Sequence, residues 1–217
     1  MFTGIIQACV PVVEATTQPG LTTFVLEFPE KLIQNLHIGA SIAVDGVCLT
    51  VVKITNNRVW FDAMDETRQK TTLGEITQNR RVNIERSATM GTEIGGHIVS
   101  GHVAGIAEIV HVDTPENNHI VTFRVPPAFM PYIFHKGFIA LDGASLTIVD
   151  VDKTAATFSV WLIPETLRMT TFGFKQASDK VNIEIDSRTQ MIVDTIERVL
   201  QEQQHNHLCQ PQNALPS

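Results

Sequence analysis

The sequence DGVCLTVV at residues 45–52 returns as DGASLTIV at residues 142–149, with Cys48 replaced by Ser145. Other segments recur in the same order and at nearly the same spacing of about 98 residues. The further matching pairs are FTGII at 2–6 with VSGHV at 99–103, DETRQKTTLG at 65–74 with PETLRMTTFG at 164–173, and VNIE at 82–85 with VNIE at 181–184. This period is too long for one unit of a solenoid, so the sequence predicts two homologous domains in tandem.

Each copy contains short segments rich in β-branched and aromatic residues, separated by Gly, Asn and Asp. The first copy has TFVLEF, SIAVDG, CLTVVKI, RVWFDAM and RVNIE, and the second has IVTFRV, FIALDG, SLTIVDV, TFSVWLI and KVNIEI. Six or so strands in about 90 residues are typical of a small antiparallel barrel. We therefore predict a mostly β fold of two tandem homologous six-stranded antiparallel β-barrels, over residues 1–96 and 97–187, plus a C-terminal α-helix. PEKLIQNL and PPAFMPYIF are expected to form a short helical plug over each barrel.

The segment after the second copy, SRTQMIVDTIERVLQEQQ, has a different periodicity. Ile192, Ile196 and Leu200 recur at helical spacing, and SRTQ is a capping box. The pattern predicts a helix over residues 188–205. Neither barrel needs this helix, so it either folds back on its own chain or pairs with other copies, and the second alternative is favoured. The polar tail at 206–217 is expected to be disordered.

Composition and charge exclude several classes of protein. The chain of 217 residues has a net charge of −7 and a pI of about 5.6, which disfavours nucleic-acid and membrane partners. No apolar run approaches the ~20 residues that a membrane span needs, and no signal peptide is recognised at the N-terminus. Three widely spaced cysteines, Cys9, Cys48 and Cys209, argue against a disulfide scaffold or a zinc site and favour a cytoplasmic setting. Motifs for dinucleotides, nucleoside triphosphates or a metalloprotease zinc ion are absent from the sequence.

The two copies share some polar residues and differ in others. Shared residues suit a polyhydroxyl chain or the edge of a heterocycle, or else they satisfy turns and barrel rims; they are Thr50 and Thr147, Glu66 and Glu165, and Thr67 and Thr166. The replacements, first copy to second, are Ile5 to His102, Ser41 to Phe138, Cys48 to Ser145 and Ser87 to Asp186. His102 is either a general base or structural, and Cys48 either a nucleophile or a small core residue. Ser145 has no Ser-His-Asp arrangement adjacent in the sequence, and Asp186 either acts chemically or caps the final helix.

Four motifs carry a resemblance to a known family. MFTGIIQ at 1–7, GGHIVSGHV at 95–103, IPETLRMTT at 163–171 and VNIEID at 181–186 resemble the duplicated-barrel riboflavin synthase family, and the similarity runs from residue 1 to about 200. The resemblance implies a transferase that dismutates two molecules of 6,7-dimethyl-8-ribityllumazine. A four-carbon unit passes between them to give riboflavin and 5-amino-6-(D-ribitylamino)uracil, the last step of riboflavin biosynthesis. It implies no metal or organic cofactor.

The resemblance also implies an assembly. Family members are homotrimers held by their C-terminal helices, with each active site between the first barrel of one subunit and the second barrel of its neighbour. Each active site takes two lumazine molecules. Association with lumazine synthase is a further partnership that the family suggests.

Site residues carry over position by position. The first pocket would use Gly4, Ile5, Ile6, Cys48, Leu49, Thr50, Asp62, Ala63, Met64, Asp65, Glu66 and Thr67. The second would use Gly101, His102, Val103, Ser145, Leu146, Thr147, Trp161, Leu162, Ile163, Pro164, Glu165 and Thr166, with Lys136 reaching the neighbouring subunit's site. Positions that the family ties to catalysis are Phe2, Ser41, Cys48, His102, Ser145, Thr147 and Asp186.

The acidic C7 methyl group of the lumazine needs a base, and His102 is the favoured one. Hydroxide, Cys48, Ser145 or a ribityl hydroxyl could attack C7 of the donor, and the sequence leaves these open.

Two other interpretations assign the chain to different functional classes. Lumazine proteins, the antenna proteins of luminous bacteria, bind the ligand without converting it; their second copy is altered at the His and Ser positions and their final helix is largely missing. Here SGHV, GASLT and the helix are all present, which favours the enzyme. A flavin-binding reductase barrel would need a nucleotide-binding domain, and the sequence offers no glycine-rich strand–helix turn for one.

Overall fold

The computed structural model describes residues 1–116 and 118–208, with side chains described as far as residue 203. Two closed six-stranded antiparallel barrels make up residues 1–186 and form one compact unit. The first barrel consists of β1 (Ala8–Gln18), β2 (Leu21–Glu27), β3 (Ser41–Val44), β4 (Val47–Thr55), β5 (Arg58–Met64) and β6 (Arg81–Arg86). The second consists of β7 (Gly105–Asp113), β8 (Ile120–Arg124), β9 (Phe138–Leu141), β10 (Ala144–Asp152), β11 (Thr157–Trp161) and β12 (Lys180–Ile185).

Both barrels have the same strand order, β1-β2-β5-β4-β3-β6 in the first and β7-β8-β11-β10-β9-β12 in the second. The alternation in β4 shows how the sequence closes a barrel. Val47, Leu49 and Val51 are buried inside, whereas Cys48 and Thr50 face outward. The predicted fold class is confirmed.

The repeated Asp-Gly pairs form the hairpin turns between β3 and β4 and between β9 and β10. Asp45 and Gly46 have φ of 43° and 78°, and Asp142 and Gly143 have 43° and 81°. Positive φ at both central residues is what a tight hairpin turn of this twist requires, and Asp-Gly tolerates it. The repeated phrase therefore begins with a two-residue hairpin turn in each barrel.

Short helices cover the barrels and lead into the final strands. The predicted plugs are α1 (Glu30–Ile33) and a 3-10 turn at Pro127–Tyr132, and Leu32 and Met130 bury their side chains in the two cores. Two six-residue helices, α2 (Asp65–Lys70) and α3 (Pro164–Met169), were not predicted. Further 3-10 turns follow at Thr72–Glu75 and Thr171–Gly173.

The first strand of each barrel, β1 and β7, was also missed. Both strands contain a bulge in their pairing, between Val12 and Glu14 in β1 and between Ile109 and His111 in β7. A bulge breaks the two-residue alternation on which strand prediction depends. Pro11 in β1 weakens the signal further.

The two barrels meet along a seam of reciprocal amide contacts. Asn83 Nδ2 donates to the Asp142 carbonyl at 3.0 Å, and Asn182 Nδ2 donates to the Asp45 carbonyl at 2.7 Å. Each aspartate carboxylate in turn accepts from the backbone N–H of the asparagine in its own barrel, at 2.8 Å in both. Gly46 and Gly143 approach so closely that a Cβ on Gly46 would lie 2.6 Å from Gly143 N.

The last helix, α4 (Ser187–Leu208), is a separate unit. It ends three residues beyond the predicted boundary at 205, because no Gly or Pro interrupts the sequence before Pro211. Met191, Ile192 and Ile196 are 69%, 60% and 54% exposed. Cys209 and the rest of the predicted tail lie outside the described residues.

Among the described residues, no helix has the length and apolar character to cross a bilayer. The same part of the chain has no cluster of three or more His, Cys, Asp or Glu side chains suited to a metal ion.

Candidate active site

The segment before each barrel lies against the other barrel. Ser145 N, in β10 of the second barrel, donates to Gly4 O at 2.8 Å, and Cys48 N, in β4 of the first, donates to Gly101 O at 2.9 Å. A Cβ on Gly4 would lie 2.5 Å from Ser145 Cβ, so only glycine allows this approach. Gly4, Ile5 and Ile6, predicted from the sequence to share a pocket with Cys48, line a crevice with Ser145 in this structure, because residues 2–6 cross the seam.

A pair of backbone hydrogen bonds joins the two crossing segments. Phe2 and Val99 exchange them at 2.7 and 3.0 Å. Phe2 is only 2% exposed and packs with Ala43, Val99 and Ala140, with Cys48 against the same cluster. Phe2, expected at a catalytic position, is thus a buried wedge between the barrels.

The larger crevice, which we call the Ser145 crevice, has a volume of about 600 Å³. Both repeats line it: Gly4, Ile5 and Ile6 come from the first, and Ser145, Ile163, Glu165 and Thr166 from the second. Lys31 and Leu32 of α1 and Met169 of α3 also line it. This crevice therefore combines some residues of the first predicted pocket with some residues of the second.

The smaller crevice, which we call the Cys48 crevice, has a volume of about 260 Å³. Cys48, Glu66 and Thr67 of the first repeat line it together with Gly101, His102 and Val103 of the second. Lys70 Nζ donates to Glu66 Oε1 at 2.7 Å beside this crevice. His102, the predicted base, therefore accompanies the cysteine and not Ser145.

The partner of Ser145 is a histidine that sequence reasoning missed. His97 Nδ1 lies 2.6 Å from Ser145 Oγ, and the His97 ring stacks on Phe138 with ring centres 5.2 Å apart. Burial lowers the pKa of His97 below its usual value, and the nearby Asp186 carboxylate opposes that shift. His97 is thus kept neutral near pH 7, so that Nδ1 can accept the Ser145 hydroxyl proton.

Close packing at the linker fixes this pair. A Cβ on Gly96 would lie 2.4 Å from Thr3 O and 2.7 Å from Ser145 Cβ, so the chain must have glycine beside His97. The sequence signal was the GGH of GGHIVSGH, whose glycines allow a close approach.

Several other predicted residues do not line either crevice. Thr50 and Thr147 are exposed and pair across their hairpins with Ser41 and Phe138. Asp62 Oδ1 accepts a hydrogen bond from Thr23 Oγ1 at 2.6 Å. The side chains of several predicted binding residues belong to the barrel cores, which leaves only their backbones for a ligand; they are Leu49, Ala63, Leu146 and Leu162.

The helix-start residues and the turn before β9 complete the set. Asp65 pairs with Arg68 at 2.8 Å, and Pro164 begins α3. Lys136 has a φ of +63° in the turn before β9, where its N–H donates to Ile148 O at 2.9 Å. Exposed apolar side chains lie at the strand and helix ends: Ile5, Met64, Phe138, Trp161 and Ile163 are between 47% and 67% exposed.

Comparison with known proteins identifies the class. The lumazine binding domain family matches this chain twice, over residues 3–87 and 100–186. The fold is also similar to LumP in a crystal structure with riboflavin, with a TM-score of 0.79, 24% identity, and coverage of 86% of this chain and all of that one. The chain is therefore a tandem pair of lumazine binding domains.

Relatives that match over nearly their full length identify the family within this class. Riboflavin synthase of Escherichia coli K12 is 47% identical over 92% of this chain and 93% of its own length. Riboflavin synthase of Chlamydia pneumoniae is 45% identical over 92% of this chain and 97% of its own. The chain belongs to the riboflavin synthase family.

Proposed function

We propose that this chain is a riboflavin synthase, which converts two molecules of 6,7-dimethyl-8-ribityllumazine into riboflavin and 5-amino-6-(D-ribitylamino)uracil. The observation that carries the proposal is the duplicated crevice, built twice from the same elements in a chain of this family. Two copies of one substrate call for two similar sites. The two substrates together contain all the atoms of the two products, so the reaction needs no outside oxidant.

Polar and apolar groups at the crevices match the chemical groups of the ligand. Thr67 and Thr166, at equivalent positions in α2 and α3, and the backbone groups of the crossing segments offer polar contacts to the ring edge and the ribityl chain. Ile5 and Ile163 offer an apolar face to the flat ring in the Ser145 crevice. Holding two rings in register supplies part of the rate enhancement, since it removes the entropy cost of bringing them together.

Proton removal from the C7 methyl group is the first demand of the chemistry. Neutral His97 can take the proton through the Ser145 hydroxyl, because His97 Nδ1 and Ser145 Oγ are 2.6 Å apart. The His97 side chain is also buried, which favours its neutral form. His102 is the corresponding candidate in the Cys48 crevice. We assign the base to His97 with Ser145, in place of the earlier preference for His102.

Activation of the second lumazine requires a nucleophile at its C7. Cys48 is half-buried beside His102 in the smaller crevice, which suits this role. Hydroxide, Ser145 and a ribityl hydroxyl remain alternatives. Thr147 and Asp186 would orient groups or shuttle protons, and Asp186 already acts on the pKa of His97.

We further propose a homotrimer in the cytoplasm, assembled through α4. The exposed apolar side chains of this helix, among them Met191 and Ile192, support self-association. Ile5 and Ile163, which are exposed and line the Ser145 crevice, support a site completed by a neighbouring subunit, to which Lys136 would reach. Association with lumazine synthase stays a prediction of the family resemblance.

Incubation of the purified protein with 6,7-dimethyl-8-ribityllumazine alone tests the function. Absorbance and fluorescence should show riboflavin forming at half the rate at which lumazine disappears. A stable fluorescent complex with no riboflavin would instead mark a binding protein of the antenna type. Sedimentation of the same sample tests the trimer.

A further inference from the structure

Two buried glutamates hold the crossing segments in place. Glu85, near the end of β6, is 2% exposed, and Glu184, at the equivalent position of β12, is 7% exposed. They are the last residues of the repeated VNIE motif. Buried carboxylates are costly unless hydrogen bonds compensate, so their partners indicate what they do.

Each glutamate accepts the same three hydrogen bonds from the segment that begins its own repeat. Glu85 Oε1 accepts from Thr3 N and Thr3 Oγ1 at 2.6 and 2.7 Å, and Oε2 accepts from Gly4 N at 3.0 Å. Glu184 Oε1 accepts from Ser100 N and Ser100 Oγ at 2.7 Å each, and Oε2 accepts from Gly101 N at 2.9 Å. Both carboxylates are thus bound to the residues that enter the crevices.

One more hydrogen bond connects each carboxylate to a crevice. Gly4, held through its N–H by Glu85, accepts from Ser145 N through its carbonyl. Gly101, held by Glu184, accepts from Cys48 N in the same way. The path from each glutamate therefore ends in a different crevice.

We propose that Glu85 and Glu184 are positioning residues, one for each crevice: Glu85 sets the shape of the Ser145 crevice and Glu184 that of the Cys48 crevice. The effect on ligand binding rests on the proposed function, whereas the effect on geometry does not. Glutamine is the sharpest replacement, because it has nearly the same shape. Its NH₂ group would face an N–H donor, and one buried donor would lose its acceptor.

A thiol measurement tests the Glu184 half without any ligand. Replacing Cys9 and Cys209 by serine leaves Cys48 as the only cysteine in the sequence. In this background, Glu184→Gln should raise the rate of Cys48 alkylation by iodoacetamide about fivefold or more, because loosening Gly101 uncovers the thiol. Glu85→Gln should leave that rate within about twofold. Equal acceleration by both variants, or none by either, overturns the proposal.

Binding to alkylated protein tests the Glu85 half. Alkylation of Cys48 obstructs the small crevice, so riboflavin titrated into this protein reports on the Ser145 crevice. Glu85→Gln should weaken that binding about tenfold, and Glu184→Gln should leave it within about twofold. If riboflavin fails to bind the alkylated parent protein, the proposed ligand is wrong, while the alkylation rates still decide the positioning role of Glu184.

Milder variants guard against a failure to fold. Thr3→Val and Ser100→Ala each remove one hydroxyl donor to one glutamate and leave both carboxylates in place. They should reproduce the same crevice preference at a smaller size. Glu75→Gln is the matched control, since Glu75 is exposed and pairs with Lys180 far from these segments in sequence. A control variant that changed either readout as strongly as the glutamines would also overturn the proposal.

Discussion

The Ser145 crevice and the Cys48 crevice have the same backbone and different side chains. The helices beside them, α2 and α3, end with the same hydrogen bond. Thr71 N donates to Thr67 O at 3.1 Å, and Thr170 N donates to Thr166 O at 3.1 Å. Yet one crevice measures about 600 Å³ and the other about 260 Å³. The duplication therefore preserved the backbone, and divergence occurred in the side chains that line the crevices.

The residues that line the crevices differ at equivalent positions. The second repeat has Met169 where the first has Lys70, so Glu66 pairs with Lys70 beside the Cys48 crevice, whereas the equivalent Glu165 pairs with Arg168. Ser145 has gained His97 as a partner, whereas Cys48 lies with His102. In the proposed mechanism, the larger crevice removes the proton and the smaller one holds the nucleophile.

The largest effect that this comparison predicts is on turnover. His97→Gln and Ser145→Ala should each lower kcat at least about a hundredfold, because they remove the base or its relay. The acid limb of the kcat profile should lie below the usual histidine pKa, since burial lowers the pKa of His97 and only its neutral form accepts a proton. Steady-state assays from pH 5 to 8 measure both.

The Cys48 crevice supplies the counterpart variants. His102→Gln and Cys48→Ser should lower kcat by a smaller factor than His97→Gln. Near-normal turnover in both would remove this crevice from the chemistry. A greater loss in His102→Gln than in His97→Gln would reverse the assignment of the base.

A smaller loss is expected from glycines that position the base. Gly96→Ala should lower kcat about tenfold, because the added Cβ would meet Ser145 Cβ at 2.7 Å and displace it from His97. Gly95→Ala is the control, since its Cβ would meet Ile5 at an ordinary 3.5 Å. Equal effects of the two alanines on turnover would show that Gly96 matters only for the linker.

The seam predicts a dependence of stability on pH. Burial, and then the neighbouring Asp142 charge, raise the pKa of Asp45 from 3.8 to about 7, although Arg80 and Lys175 oppose this. The folded state thus holds a proton that the unfolded state releases, and stability from Asp45 is lost as pH rises from about 4 to about 7. Asp142→Asn should reduce this loss by about 1 kcal/mol.

Urea unfolding at pH 5 and pH 8 measures that difference. The comparison must be between the parent and Asp142→Asn at both pH values, because His97 titrates with the opposite sign: its lowered pKa makes stability rise with pH. An unchanged pH dependence in the variant would show that the two seam carboxylates do not interact.

The smallest effect concerns the lining itself. Lys70→Met gives the Cys48 crevice the residue of its counterpart and frees Glu66 from its 2.7 Å ion pair. Both side chains are largely exposed and screened by solvent, so the free energy of unfolding should change little. The affinity of the Cys48 crevice for riboflavin should change severalfold, and a titration measures it. Met169→Lys is the reciprocal variant for the Ser145 crevice. Unchanged riboflavin affinity in both variants would show that positions 70 and 169 do not determine how the crevices bind the ligand.

Sequence predicted the barrels because their signals are local. Alternation within β4 and the Asp-Gly turns can be read from neighbouring residues, and the repeat doubled each signal. The helices α2 and α3, of six residues each, are too short for a helical period to show.

The parts of the site that sequence did not predict depend on distant pairs. Ser145 and His97 are 48 positions apart, and neither lies in a pattern that points to the other. The crossing of residues 2–6 onto the second barrel likewise leaves no periodic trace. The sequence thus proposed Cys48 and Ser145 as candidates, whereas the residues that lie beside each of them became visible only in the fold.

The crossing segments also bear on the origin of the chain. A polypeptide with a single repeat would have no second barrel to receive residues 2–6, and its own crevice would lack a wall. Two such polypeptides could complete each other by exchanging these segments about a two-fold axis. The duplicated chain thus resembles a fused, segment-swapped homodimer, and fusion would have freed each half to specialise.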